Sequence, residues 1–439
     1  MKNKIFKAAT LICLAVLFSL FLFSGCKPDV TPDGKDNDNT PPAPRETITY
    51  TITEEKLYDQ IKGSMFGQMA GVTYSAPSEF RANGFMYDLA NLRPWKPSVI
   101  NEGFGQDDMF VDITFIDAVK EYGLDCTTKE FGEAFRASTY GLAHGNKEAR
   151  QILQTRYLNE DGEYVYYDAP MSGHYSMNQC CEDIDWAIEC DWVGMLFPGM
   201  VERAADMSYR AGQVIGYGEG ILSGNYISAL HAYSFFAENV EDLFLRAVAV
   251  LPEESKNYKI QMQVYGLWKN SVSFEDAWQI INDEWLYVER CPECAGSNAM
   301  NITGYLNEAY STMGLLYGNG DFKETMDYAM RCGQDSDCNP STAAGVLGNM
   351  YGYDYLAEYQ DGIWVSGINN TLKFSGTEYT MPLLVDTMYE IAVESLNTYA
   401  EKTDGGWIIT DYKDVQVYEV PLWPNMPSVY ITVEADNRF

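Results

Sequence analysis

Histidine is scarce: the chain has three, His144, His174 and His231, set far apart in 439 residues. That leaves too few imidazoles for a histidine-built transition-metal site and argues against His-centred zinc chemistry. Positive charge is scarce too, with 30 Lys and Arg against 63 Asp and Glu, a formal charge of −33. Phosphate backbones are bound by clustered Lys and Arg, so nucleic acid is excluded as a partner, as is electrostatic docking on anionic lipid. No phosphate-binding Gly-rich loop, dinucleotide fingerprint or G-x-S-x-G elbow occurs. Strands do not alternate with helices, so a parallel sheet is not expected, and no short repeat is present. What remains is an apolar content of 46% with 14% aromatics, enough for a globular core.

The chain begins as an address. Lys2, Lys4 and Lys7 precede an uncharged apolar stretch from Ala8 to Phe23, followed by Ser24-Gly25-Cys26. A short apolar run ending in small residues reads as an export signal. Cys26 after Ser-Gly resembles a bacterial lipobox, which implies cleavage after residue 25 and lipidation of Cys26. The expected location is the cell envelope, periplasmic or cell-surface, with the membrane touched only through the N-terminal lipid. Residues 26–48, rich in Pro, Asp, Asn and Thr, read as a disordered tether. Residues 49–400 read as one all-α body and residues 401–439 as a small β-rich tail. Cys291-Pro-Glu-Cys294 is a lone C-x-x-C, read as a local disulfide or a pair of thiols on a loop.

In the body, helices are expected from a Thr53 cap, from Asp107 to Tyr122, from a Ser273 cap to Val288, from Phe322 to Arg331, and from an Asn339 cap with Pro340 to about Tyr351. Gly63, Gly67 and Gly71 recur every fourth residue. Each interior glycine costs a helix about 1 kcal/mol relative to Ala, so three in register point to a backbone contact or a ligand. Ala344, Gly345, Gly348 and Gly352 form a second small stripe. In the tail, Trp407-Ile-Ile-Thr and Val415-Gln-Val-Tyr-Glu-Val read as strands.

Two acidic stretches open helices: Gly105-Gln106-Asp107-Asp108 and Gly333-Gln334-Asp335-Ser336-Asp337-Cys338. Asp112 shares a helix face with Asp108. Clustered carboxylates repel one another unless a hard cation neutralises them, and oxygen ligands favour Mg²⁺, Mn²⁺ or Ca²⁺ over zinc.

These blocks resemble the ADP-ribosylglycohydrolase family. Ile61-Lys-Gly-Ser-Met-Phe-Gly-Gln-Met-Ala-Gly71 is similar to its first Gly-rich helix. Gln106-Asp107-Asp108-Met109 is similar to its usual Thr-Asp-Asp. Gly320-Asp321-Phe322, with Cys332-Gly-Gln-Asp-Ser-Asp-Cys-Asn-Pro-Ser-Thr-Ala-Ala-Gly345, is similar to its G-x-D-T-D-T/S-x-A block. The resemblance implies a multi-helix all-α fold and two Mg²⁺ ions. It also implies hydrolysis of an N- or O-glycosidic bond to ribose, in a small-molecule or ADP-ribosylated substrate. It implies Gln106, Asp107, Asp108, Asp335, Asp337 and Cys338 as metal ligands and Asp107, Asp108 and Glu79 as catalytic groups. Beside these, Asp112 reads as an added carboxylate toward substrate or an ordinary surface Asp, and Asp191 as a substrate-side cleft residue or a structural hydrogen-bond partner. The chain departs from the family at Gln106, where Thr is usual, at Cys338, where Thr or Ser is usual, and at Gln68, where Asp is common. Four extra residues precede Glu79. Two other readings stand beside this one: a metal-free, two-carboxylate glycosidase acting on glycans, and a non-catalytic ligand-binding protein on the same fold.

Overall fold

A computed structural model describes residues 44–92, 96–288, 294, 299–359, 369–374 and 377–423. The export signal, Cys26, most of the expected tether, Cys291 and residues 424–439 lie outside the described residues.

The described body is helical. Its helices are α1 (Glu54–Ser75), α2 (Asp107–Tyr122), α3 (Thr128–Ala137), α4 (His144–Leu153), α5 (Asp185–Ile188), α6 (Asp191–Leu196), α7 (Val201–Gly212) and α8 (Glu219–Ser234). There follow α9 (Val240–Ala247), α10 (Lys256–Lys269), α11 (Phe274–Trp285), α12 (Gly304–Gly318), α13 (Phe322–Arg331), α14 (Cys338–Tyr351), α15 (Tyr353–Tyr359) and α16 (Met381–Tyr399). No described helix is long and apolar enough to cross a membrane.

The helices fall into two kinds. α3, α7, α11 and α13 bury one stripe each; in α11 it is Phe274, Ala277, Trp278, Ile281 and Trp285, the spacing that puts side chains on one face. α1, α8, α12 and α14 are buried nearly all round and form the centre. Local chemistry sets their ends. Thr53 accepts from Lys56 N–H at the start of α1, with Glu54 and Glu55 in the first turn, where carboxylates meet the positive helix end. Ser273 accepts from Asp276 N–H, and Thr127 with Glu130 forms a full capping box on α3.

The glycine stripes do what their spacing suggests. A Cβ on Gly63 would lie 2.2 Å from the Gly348 carbonyl oxygen, and one on Gly67 would lie 2.1 Å from that of Ala344. One on Gly71 would lie 2.3 Å from the Pro340 oxygen. The backbones of α1 and α14 are therefore in direct contact along three turns, and no larger residue fits.

Three expectations are corrected. α14 begins at Cys338, with Asp337 as its cap residue rather than Asn339, so Pro340 sits at the third helical position. That place is tolerated because the first-turn N–H groups have no helical acceptor. Residues 47–53 are not tether or helix but a strand, β1 (Thr47–Thr53). Short hairpins β2–β3 (Arg156–Leu158, Tyr164–Tyr166) and β4–β5 (Asn369–Phe374, Thr377–Thr380) accompany the helices, the second with Tyr379 buried against the body, and β6 (Glu401–Thr403) and β7 (Gly406–Tyr412) close it. The sheet order β1-β7-β6 is antiparallel, with Thr47 opposite Tyr412 and Thr53 opposite Gly406. The expected tail thus supplies two strands of a three-stranded sheet whose third strand comes from the N-terminal side. Finally, residues 415–420 form no strand. They run as coil along the body, where Tyr418 N–H donates to the Val250 carbonyl at 3.2 Å.

Candidate functional site

The two acidic stretches, more than 220 residues apart in sequence, meet where α2 and α14 begin. Asp107 and Asp108 occupy the first turn of α2. Asp335 and Asp337 lie on the turn that leads into α14. Oxygens of Asp107 and Asp108 and the Cys338 sulfur fall within 4.8 Å of one another, and so do oxygens of Asp335 and Asp337 with the same sulfur. Asp108, Asp335 and Asp337 are buried and Asp107 is half-buried.

The turn is shaped by an unusual pair of residues. Gly333 and Gln334 both have positive φ, +82° and +59°. A Cβ on Gly333 would sit 2.0 Å from the Ala82 carbonyl oxygen, so only glycine fits. Gln334 holds its less favoured conformation through four hydrogen bonds. Its side chain accepts from Asn301 N–H and donates to the Ala299 carbonyl, both at 2.8 Å. Its backbone N–H donates to Ala82, and its carbonyl accepts from Phe80. Strain at such a position persists only when its surroundings over-determine it. The loop after α1 is pinned to the same turn: the Ser78 and Ser336 hydroxyls are 2.9 Å apart, and Ser75 Oγ donates to the Asp337 carbonyl at 3.3 Å. This places exposed Glu79 at the rim of the carboxylate cluster.

Crowding shows in the electrostatics. Burial, then Asp107 and Asp335, pushes the Asp108 carboxyl well above its usual range. Burial, then Asp335, Glu79 and Asp108, does the same to Asp337. Asp335 is pushed up to about 7 by burial and Asp107. Glu79 is raised by burial and then by Asp107. Asp108 Oδ1 and Asp337 Oδ1 are buried without a hydrogen-bond partner among the described residues. A buried, unpartnered carboxylate oxygen is expensive. Four such groups converging, two with an orphaned oxygen, fit a hard divalent cation with oxygen ligands.

Cys338 fits that cation less well. Its thiol donates to Asp108 Oδ2 at 3.3 Å, and burial with the surrounding carboxylates drives its pKa well above the ordinary value. Its sulfur belongs to both acidic groups that could hold an ion, although a thiol is a poor partner for a hard cation. Gln106 sits half-buried just before α2, its side chain unused for capping.

Asp112 and Asp191 lie in the interior, one layer behind the first turn of α2. They are 0% and 1% exposed and share a donor, Gln68, whose Nε2 lies 3.0 Å from Asp112 Oδ2 and 3.0 Å from Asp191 Oδ2. The histidines are not isolated either. His231 Nε2 lies 3.0 Å from Asp191 Oδ1. His144, with φ of +44°, opens α4 beside Asp107, Asp185 and Glu79; burial raises the pKa of all three and His144 offsets part of that rise. His174 pairs with Ser176 Oγ at 2.7 Å.

Two buried acids were missed from sequence. Asp185 accepts from the first N–H groups of α4, Gly145 at 3.3 Å and Asn146 at 2.9 Å. Glu189 accepts from the Asn146 side chain. Both face Asp107 closely enough for its charge to raise them. The run from Glu182 to Asp191 is dense in acids, but it carries no motif that separates them from surface residues.

Known proteins place these features. The sequence model of the family described as ADP-ribosylglycohydrolase matches residues 53–389. A solved structure titled "ADP-ribosylglycohydrolase-related protein complex" is similar at 13% identity and a TM-score of 0.44, covering 78% of this chain and 99% of that one. No curated protein matches. Because the family match runs from the cap of α1 into α16 and takes in both acidic stretches, the chain belongs to the ADP-ribosylglycohydrolase family.

Proposed function

We propose that the protein hydrolyses an N- or O-glycosidic bond to ribose in an ADP-ribosyl or closely related substrate, with divalent metal held by Asp107, Asp108, Asp335 and Asp337. The observation that carries this reading is the convergence of those four carboxylates at the facing starts of α2 and α14, with buried oxygens left unpartnered. Oxygen ligands suit a hard divalent ion, which we take as Mg²⁺, with Mn²⁺ or Ca²⁺ as alternatives. When bound, divalent metal supplies Lewis acidity and a lowered pKa for a coordinated water.

The protein's own groups supply the rest. The carboxylates set the position of the reacting centre. The Gln106 carbonyl oxygen offers a neutral ligand where a hydroxyl is usual in the family. Cys338 holds Asp108 through its S–H. Glu79, on a loop stapled to Ser336, is the group at the rim able to hold or move a proton. Its raised pKa is the direction that general acid catalysis on a leaving group needs.

The test is release of ADP-ribose from ADP-ribosylated peptides in the presence of Mg²⁺ or Mn²⁺. Turnover is expected to vanish with EDTA and in Asp107→Asn and Asp335→Asn, while both variants keep the wild-type circular dichroism spectrum. Both are also expected to lose the metal-induced rise in melting temperature, a stabilisation of about 2.7 kcal/mol at a ligand concentration 100 times Kd. Cleavage of a glycan that survives EDTA would replace this reading with a metal-free glycosidase.

A further inference from the structure

Behind the four carboxylates lies a second, fully buried layer with no part in the chemistry above. Gln68, on α1, is its central donor. Besides Asp112 and Asp191, its Nε2 reaches the backbone carbonyl of Asp108 at 3.3 Å. Asp191 Oδ1 is held by His231 Nε2, and His231 Nδ1 lies 3.3 Å from Ser64 Oγ. From α14, Ser341 Oγ donates to the Gln68 carbonyl at 3.1 Å. Gly345, also on α14, leaves the space: a Cβ there would meet His231 Cε1 at 3.4 Å and Gln68 Cβ at 3.5 Å. The layer thus joins α1, α2, α6, α8 and α14. It is hydrogen-bonded to the first turn of α2 at the Asp108 carbonyl oxygen, and its carboxyls lie close enough to the Asp108 side chain for their charges to act on one another.

The layer is complementary at the Gln68 amide nitrogen, whereas Gln68 Oε1 and Asp112 Oδ1 are buried without a hydrogen-bond partner among the described residues. A carboxylate has acceptors only and an amide brings two N–H donors. Gln68 is the one amide set between Asp112 and Asp191. An acid at position 68 would place three carboxyl groups together and remove the amide N–H groups that Asp112 Oδ2 and Asp191 Oδ2 share. An amide at 68 therefore goes with an acid at 112, and the two positions are expected to be exchangeable only together.

We propose that Gln68, clamped by Asp112 and Asp191, is a positioning residue that fixes the first turn of α2 through the Asp108 carbonyl and so sets the geometry in which Asp107 and Asp108 take a divalent ion. This rests on the metal-dependent reading above. Groups that orient metal ligands from behind commonly change metal affinity by about 10–100-fold when mutated.

The experiment titrates Mn²⁺ into wild type, Gln68→Glu, Gln68→Glu/Asp112→Asn and Gln68→Asn. Dissociation constants are measured by calorimetry at a temperature where circular dichroism shows each variant folded, and melting temperatures are recorded without metal. Gln68→Glu is expected to weaken Mn²⁺ binding about 10–100-fold, and the added Asp112→Asn, which restores one amide among acids, to recover most of it. Gln68→Asn keeps the amide but withdraws it by one methylene from the Asp108 carbonyl. It is expected to lose affinity by the same order, and it carries the test if Gln68→Glu does not fold. A merely structural layer would lower the metal-free melting temperature and leave the Mn²⁺ affinity of the folded protein unchanged, which would overturn the proposal while leaving the metal centre standing. Absence of Mn²⁺ and Mg²⁺ binding by wild type would overturn both.

Discussion

Asp185 and Asp335 are carboxyls whose folded-state pKa is pushed up to about 7, against about 3.9 in an unfolded chain. The folded protein binds their protons more tightly, so the stability they contribute is fully present below about pH 4 and is lost as pH rises through about 7. In EDTA, the melting temperature is therefore expected to fall between pH 5 and pH 8. Mg²⁺ should remove the share due to Asp335, whose charge it pairs. Asp185→Asn should make the remaining slope shallower, and a scan of melting temperature against pH with and without Mg²⁺ reads both effects. The residues that carry these charges differ in how visible they were. Asp107, Asp108, Asp335 and Asp337 stand in short blocks at helix starts; each block alone could be a cap, and it is the resemblance of the blocks together to the family's motifs that marks them. Asp191, His231 and Gln68 belong to one buried layer assembled from α6, α8 and α1. Nothing local distinguishes such residues from a surface acid or a core histidine, because their partners are supplied by packing.

At the scale of elements, the contact between α1 and α14 is the firmest constraint in the body. Gly67→Ala would drive a methyl to 2.1 Å from the Ala344 oxygen, against backbone that cannot rotate away. A loss of at least about 3 kcal/mol is expected, the upper end of ordinary overpacking. Gly266, on α10, has open space where its Cβ would be, and Gly266→Ala should gain roughly 0.5–1 kcal/mol from helix propensity. Urea unfolding of the two variants beside wild type measures both signs. Helix limits were readable where capping chemistry is local: Asp107 to Tyr122 is bounded by two acids and Gly123, and Phe322 to Arg331 by Asp321, which accepts from Glu324 N–H. The start of α14 was misplaced by two residues because Asn-Pro is a strong start signal, while Asp337 takes the cap position without using its side chain to cap. Residues 415–420 alternate as a strand should, yet alternation supplies a face and not a neighbouring strand to pair with.

For the whole molecule, the sheet β1-β7-β6 joins segments some 350 residues apart. Trp407 and Ile409 on β7 are buried, Trp407 Nε1 donates to Asn397 Oδ1 at 3.0 Å, and Arg246 pairs with Asp411 at 2.7 Å. Ending the chain at Thr403 would strip β1 of its partner and expose core side chains worth about 1.5–3 kcal/mol each. A loss of several kcal/mol is expected, seen as a lower urea midpoint and faster proteolysis near Thr47; unchanged protection there would count against the sheet. β1 was unreadable as a strand because a Pro- and Asp-rich stretch precedes it and its partner lies at the far end of the sequence.

The pairing of Thr47 with Tyr412 has one more consequence. Thr47 and Tyr412 lie on neighbouring strands, so a short bridge between them, made by giving up the packed coil at 413–423, could splice the body into a ring. The ring could then be cut at an exposed surface turn such as Gly162, giving a rearranged gene whose product keeps the same architecture with its ends elsewhere.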